Sequence, residues 1–174
     1  MNLSEAIYQR RSVREFLPKK VEPQKIEILF KTAMQAPSAG NQQPWEFLVV
    51  TCKEKLQALA KAHPYATPLE NAPLGIIVLC NENGLRFPEY WQQDLAAATQ
   101  NILLQCVELD LGAVWTGIAP DTSRMEYIEK LFALPQNIKA FALLAVGYPL
   151  YPQKEERRFK ANRVHYEEYK KASF

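Results

Sequence analysis

The chain has 174 residues, 48% of them hydrophobic and 23% charged, with a formal net charge of +2. That length fits one domain whose core can close without metals or crosslinks. The near-neutral charge argues against a nucleic-acid binder: cations are interleaved with acidic residues except at Arg10-Arg11 and after Pro152, and no reader motif is present.

The three cysteines, Cys52, Cys80 and Cys106, form no CxxC pair and lie far from His63 and His165. This spacing predicts neither a zinc site nor a disulfide framework. Cys80 and Cys106 fall in apolar patterns, which predicts buried reduced thiols and a reducing cytoplasm. Met1 to Glu5 has no basic region followed by an apolar stretch, so no signal peptide is expected. The longest apolar runs, Leu74 to Cys80 and Ala140 to Gly147, fall well short of the ~20 residues that span a bilayer. A soluble protein without membrane association is expected.

The first element reads as a short helix. Asn2 and Glu5 have the spacing of a capping box, and Leu3, Ala6, Ile7 and Arg10 follow helical spacing. A second helix begins at Pro23, lines up Ile26, Leu29, Phe30 and Ala33, and stops before the loop that opens at Pro37. Trp45 to Thr51 is rich in aromatic and β-branched residues and predicts a strand. Lys53 to Ala62 predicts an amphipathic helix, and Leu74 to Cys80 a strand covered on both faces. After an irregular stretch at 81 to 90 comes the longest pattern, Trp91 to Asp110. Leu95, Ala98, Ile102, Cys106 and Leu109 make its apolar stripe, and Gly112 is expected to end it. Val114 to Ile118 predicts a strand, Thr122 to Leu134 a helix with Met125, Ile128, Leu131 and Phe132 inward, and Ala140 to Val146 the last strand. Beyond Pro149 no periodic pattern remains. The alternation of helices with four strands favours, by itself, a parallel α/β arrangement. No Gly-rich turn follows a strand, so neither a dinucleotide fingerprint nor a phosphate-binding P-loop is present.

Two segments carry chemistry. Arg10-Arg11-Ser12-Val13-Arg14 packs three cations and a hydroxyl into five residues, a composition suited to a phosphate because arginine forks pair two oxygens at once. The same composition fits a solvated basic turn facing the negative end of a helix. Pro37-Ser38-Ala39-Gly40-Asn41-Gln42-Gln43-Pro44-Trp45 places a hydroxyl and three carboxamides between prolines. Carboxamides offer donors and acceptors together, as a heterocycle with C=O and N–H edges requires. A polar turn between helix and strand is the plainer alternative.

Together these segments resemble the nitroreductase family. The resemblance continues through Gln93 to Leu104, Gly112 to Ile118, and Gly147-Tyr148-Pro149 before a basic tail. It implies an α+β fold with a mainly antiparallel central sheet flanked by helices, overriding the parallel arrangement, in an intertwined homodimer. The whole chain, 1–174, would be one domain, with about 150–174 an extension packed on the partner subunit. The family's cofactor is FMN, with NAD(P)H as reductant. By position, Arg10, Arg11, Ser12 and Arg14 resemble the first flavin-binding segment, Arg14 near the N1/C2=O side and Arg10 or Arg11 toward the phosphate or ribityl end. Pro37, Ser38, Ala39, Asn41 and Gln43 resemble the loop contributed by the other subunit. Thr116 and Gly117 match the strand end facing flavin N5, and Arg158 or Arg157 the phosphate contact in the tail.

Only Asn81 to Tyr90 connect the middle strand to the long helix, where larger members carry an insertion. Phe87, Tyr90 and Trp91 are then the aromatic candidates for a substrate pocket, or else they simply pack around the helix start. The implied activity is reduction of electron-poor acceptors such as nitroaromatics or quinones by two-step hydride transfer, with no catalytic side chain and no metal. Storage or sensing of FMN, or a specialised reductase or dehalogenase, are the other readings.

Overall fold

A computed structural model describes residues 1–169. The predicted extension therefore has its last five positions, 170–174, outside the described residues. In chain order the elements are α1 (Leu3–Gln9), α2 (Pro23–Ala33), β1 (Trp45–Val50), α3 (Lys53–Ala60), β2 (Leu74–Asn81), α4 (Trp91–Glu108), β3 (Gly112–Gly117), α5 (Thr122–Leu131) and β4 (Ile138–Gly147).

The four strands form one sheet in the order β1-β2-β4-β3, and every neighbouring pair is antiparallel. The fold is α+β, as the resemblance implied, and the parallel arrangement suggested by alternation is corrected. The connections explain why alternation misleads. Val50 pairs with Gly75, so the chain between β1 and β2 returns to the end of the sheet it left. Helix α4 does cross to the other end, and β2 and β3 consequently run in the same direction. Strand β4 then inserts between them and makes both contacts antiparallel.

Each face of the sheet is covered. Ile76, Val78 and Cys80 of β2 pack with Leu29 and Ala33 of α2 and Leu95, Ala98, Ile102 and Cys106 of α4. Ile77 and Leu79 point the other way, against Leu56 and Leu59 of α3, Leu69, and Ile128 of α5. The continuous apolar run of β2 thus reflects burial on both faces. Each such Leu or Ile removed from water contributes about 1.5–3 kcal/mol.

Strand β4 carries a bulge. Val78 pairs with Ala142 but Leu79 pairs with Ala140, leaving Phe141 as the extra residue. Ile138 and Ala140 accordingly face the α3/α5 layer, whereas Ala142, Leu144 and Val146 face the α2/α4 layer. Phe141 joins the second group and meets Trp91 and Trp115 with ring centroids at 5.9 and 5.6 Å.

Several boundaries differ from expectation. Helix α1 has its capping box, Glu5 N–H donating to Asn2 Oδ1 at 2.9 Å and Asn2 N–H to Glu5 Oε2 at 3.0 Å. Of its apolar residues only Ala6 is buried, and Leu3 and Ile7 remain 69% and 50% exposed. Helix α4 is closed by Asp110, which takes the left-handed conformation at φ 60°, and not by Gly112. Gly112 opens β3 instead. A Cβ there would lie 2.5 Å from Val13 Cγ2, so the missing side chain lets the N-terminal segment lie against β3. Helix α5 stops at Leu131 because Ala133 turns left-handed at φ 49°, ahead of the expected limit at Leu134.

Two outcomes follow from this packing. Gly112→Ala should destabilise the chain by about 1–3 kcal/mol through overpacking. Urea unfolding should show that Val13→Ala in the same chain restores part of the loss; strict additivity would mean the two residues do not meet. Burial pushes the Cys80 and Cys106 thiols up to about 12, while Cys52 is exposed. A thiol reagent should therefore count one reactive cysteine in the native protein and three in guanidinium.

Candidate functional site

The arginine segment is held along the free edge of β3. Ser12 forms a parallel bridge with Ala113, Val13 N–H donates to the Ala113 carbonyl at 3.0 Å, and Phe16 bridges to Pro149. The tail after β4 folds back beside it: Leu150 N–H donates to the Glu15 carbonyl at 3.0 Å and Glu156 N–H to the Tyr8 carbonyl at 3.4 Å. Between them lies an open cleft of about 590 Å³ walled by Arg11, Ser12, Arg14, Lys154, Glu156 and Arg158 among others. Arg11 is its most confined cation. Its Nε lies 3.8 Å from Glu156 Oε2, while its Nη2 is buried without a hydrogen-bond partner among the described residues. An unpartnered buried guanidinium nitrogen costs free energy unless an anion completes it. Arg10 stands behind this group. Partial burial, then the charges of Arg158 and Arg11, hold its pKa below the ordinary value. Arg158 is held above its ordinary value by its hydrogen bond to Glu156. Arg157 points away, with its side chain 84% exposed and paired to Glu155 at 3.1 Å.

Arg14 is shared with a second cavity of about 420 Å³ at the end of β3, lined also by His63, Tyr65, Trp115, Thr116, Gly117, Ala119 and Arg124. The bulge shapes this place. The carbonyl of Phe141 accepts from both Ile118 and Ala119 N–H at 3.0 Å, which ends the ladder just past Gly117. Thr116 Oγ1 donates to the Tyr65 carbonyl at 3.3 Å and so ties the 63–65 turn to the strand. Desolvation and then the charge of Arg124 lower the His63 pKa, with Asp121 opposing.

The carboxamide loop sits elsewhere. It precedes β1, at the opposite edge of the sheet from β3, three strand spacings or roughly 14 Å away. Buried Asp94, in the first turn of α4, holds it: Oδ1 accepts from Ala39 N–H at 2.8 Å and Oδ2 from Gln42 Nε2 at 2.7 Å. Gln42 in turn grips the Phe87 backbone, accepting its N–H at 2.9 Å and donating to its carbonyl at 3.0 Å. Gly40, Asn41 and Gln43 all have left-handed backbones, at φ 54°, 57° and 49°. Two of them are not glycine, a strain of about 1–3 kcal/mol each that persists only where the surroundings enforce it and that clusters at ligand sites. Gln43 N–H to Ser38 Oγ at 3.0 Å and Gln43 Nε2 to Asn41 Oδ1 at 2.8 Å close the loop on itself.

One chain thus gathers Arg11, Ser12, Arg14 and Arg158 in one cleft and Arg14, Thr116 and Gly117 in the next. It does not bring Pro37, Ser38, Ala39, Asn41 and Gln43 to either. Phe87, Tyr90 and Trp91 line neither cavity: Phe87 packs over Gly40, Trp91 packs on Phe141, and Tyr90 is exposed. Sequence reasoning missed Gln42 and Asp94, although Asp94 is a carboxylate one helical turn before Ala98 on the apolar stripe. It also missed His63, Tyr65 and Arg124, which only tertiary contact brings to β3.

An antiparallel sheet between two helical layers, with arginine-lined cavities along one edge and a strained carboxamide loop at the other, defines a small α+β protein with its polar groups at the sheet edges. Comparison with known proteins names the class. The model of the nitroreductase family matches residues 7–64 and 58–148. A Methanothermobacter thermautotrophicus protein, provisionally named NADH dehydrogenase/NAD(P)H nitroreductase, is 38% identical over 97% of this chain and 88% of its own length. A Clostridium acetobutylicum crystal structure, provisionally named NADH oxidase, is 48% identical with a TM-score of 0.92, covering 94% of this chain and 99% of that one. A Desulfovibrio desulfuricans structure, provisionally named a nitroreductase and solved in complex with FMN, is 28% identical with a TM-score of 0.82, covering 98% and 99%. The chain belongs to the nitroreductase family.

The clamp on the loop makes a test possible. Asp94→Asn turns an amide toward a donor that now meets a carboxylate, and should cost about 1.5–3 kcal/mol in urea unfolding. It should also speed hydrogen exchange at the Ala39 amide, and unchanged exchange there would show that the carboxylate does not hold the loop.

Proposed function

We propose that this chain is an FMN-dependent oxidoreductase that takes hydride from NAD(P)H and reduces electron-poor acceptors such as nitroaromatics or quinones. The observation that carries the reading is the cleft lined by Arg11, Ser12, Arg14 and Arg158, next to a second cavity at Gly117, with Arg11 keeping one buried nitrogen unpartnered among the described residues. These residues fit FMN. Its phosphate carries up to two negative charges and three acceptor oxygens, enough to complete Arg11 and to engage Arg158 in place of Glu156. Ser12 and Arg10 would support that end.

Arg14, on the wall between the two cavities, would face the polar edge of the ring system. A fixed cation there favours negative charge on that edge. Thr116 and Gly117 would lie against the reactive centre, where the absent Cβ of Gly117 leaves open space. When bound, the flavin supplies the hydride exchange, and the protein's part is to bind, orient and stabilise charge. No described side chain is required as a general acid, so protons come from solvent.

The reading includes a homodimer in the cytoplasm. The separation of the arginine segment from the carboxamide loop across the sheet supports it, because a second copy can bring Pro37, Ser38, Ala39, Asn41 and Gln43 against the first copy's cavities. In this arrangement residues 1–174 are one domain, and the extension from about 150, whose start lies beside the arginine segment of its own chain, would turn its outer face to the partner. Among the described residues no helix is long and apolar enough to cross a membrane.

Arg11→Met keeps the packing while removing the unpartnered Nη2 donor together with the 3.8 Å contact to Glu156. The flavin-free variant should be at least as thermally stable as the parent, and its FMN affinity should fall about tenfold or more, by fluorescence titration. Parallel loss of both would make Arg11 a structural residue. Anaerobic mixing of the yellow protein with NADH or NADPH should bleach the flavin, and FMN binding without turnover across an acceptor panel would point to storage.

A further inference from the structure

The cavity at the end of β3 holds more donors than the proposed flavin contacts use. Tyr65 N–H donates to His63 Nδ1 at 2.9 Å. That nitrogen is therefore the unprotonated one in the neutral ring, and Nε2 carries the proton as a donor. Arg124, in the first turn of α5, spends its Nε on Asp121 Oδ2 at 3.2 Å. Among the described residues neither of its Nη atoms has a hydrogen bond. Asp121 is already committed as the α5 N-cap, accepting from Arg124 N–H at 3.2 Å and from Ser123 Oγ at 2.6 Å. Arg14 has no carboxylate partner among the described residues; its Nη1 reaches only the Ser12 carbonyl at 3.2 Å. The cavity is thus lined by two arginines and, among the described residues, by no carboxylate, while Asp121 beside Arg124 is fully engaged. Its remaining wall is aromatic: Tyr65, with its ring centroid 5.4 Å from that of His63, and Trp115.

Resting on the FMN reading, which assigns Arg14 to the flavin, we propose that His63 Nε2–H and the Nη face of Arg124 form an anion subsite. It selects acceptors that are planar aromatics bearing a carboxylate. The flat ring would lie against Tyr65 while the carboxylate takes the imidazole and guanidinium donors. Charge-assisted bonds of this kind are the stronger class of hydrogen bond, and a cavity whose charged lining residues are arginines also raises the local concentration of an anionic substrate.

Two measurements test it. Benzoate, which cannot be reduced in this way, is titrated into the purified FMN-loaded protein while the two histidine ring resonances are followed by NMR. The His63 signal should shift and that of His165 should not, and Arg124→Gln should weaken the effect. In turnover, Arg124→Gln and His63→Gln should each lower kcat/KM about tenfold for 4-nitrobenzoate while leaving 4-nitrobenzyl alcohol within about twofold.

Equal loss with both acceptors, or a His63 signal indifferent to benzoate, would overturn the subsite. So would displacement of FMN by benzoate, which would give His63 and Arg124 to the flavin. A loss confined to NADPH over NADH would give them to the reductant's phosphate and overturn it too. The NMR titration can be repeated on flavin-free protein, so a colourless, inactive chain that still binds benzoate at His63 would defeat the FMN reading alone.

Discussion

The structure depends on one constraint, the burial of β2 and β4 on both faces. Ile76, Ile77, Val78, Leu143, Leu144 and Val146 have essentially no exposed surface. Such a central pair needs a helical layer on each side and polar edges. Helices α2 and α4 supply one layer, α3 and α5 the other. The edge strands β1 and β3 are then the places where polar chemistry can be hung without spoiling the core. The two segments with unusual composition lie at those edges, the carboxamide loop at the start of β1 and the arginine segment along β3.

Much of this was legible in the residues. The two periodicities located all nine principal elements, because amphipathic helices and a doubly covered strand leave distinct apolar patterns. Strand order was not legible, since the apolar run of β2 reads the same beside a parallel or an antiparallel neighbour. Nor was the ending of α4: Asp110 accepts the left-handed conformation that Gly112 seemed better suited to, while Gly112 answers to Val13 a hundred residues away. The exposure of Leu3 and Ile7 on α1 was not legible either. Spacing shows that Leu3 and Ile7 share a face but says nothing about whether anything covers it.

The candidate site divides in the same way. The arginine segment and the Thr116-Gly117 strand end are local in sequence, and the resemblance to the nitroreductase family assigned them by position. His63, Tyr65 and Arg124 come from three places that only the fold brings to one cavity, and no local pattern marks them. Asp94 was visible as a polar residue on an apolar stripe, but its meaning depends on Ala39 and Gln42 folding back onto it. Electrostatics separates these parts: the Asp94 carboxylate is partnered at both oxygens, whereas among the described residues Arg11 Nη2 and Glu129 Oε1 are buried without a hydrogen-bond partner.

The bulge at Phe141 has a consequence for how this protein can change over time. Strand β4 is two pleat phases joined at one residue, with Ile138 and Ala140 in the first and Ala142 to Val146 in the second. A single-residue deletion or insertion within it would turn every side chain on one flank to the wrong layer. Length variation therefore has to be absorbed elsewhere, and the short stretch from Glu82 to Tyr90 is free of that parity. It can lengthen without disturbing the sheet, so the connector is where relatives of this chain can diversify while the middle of the sheet stays fixed in length.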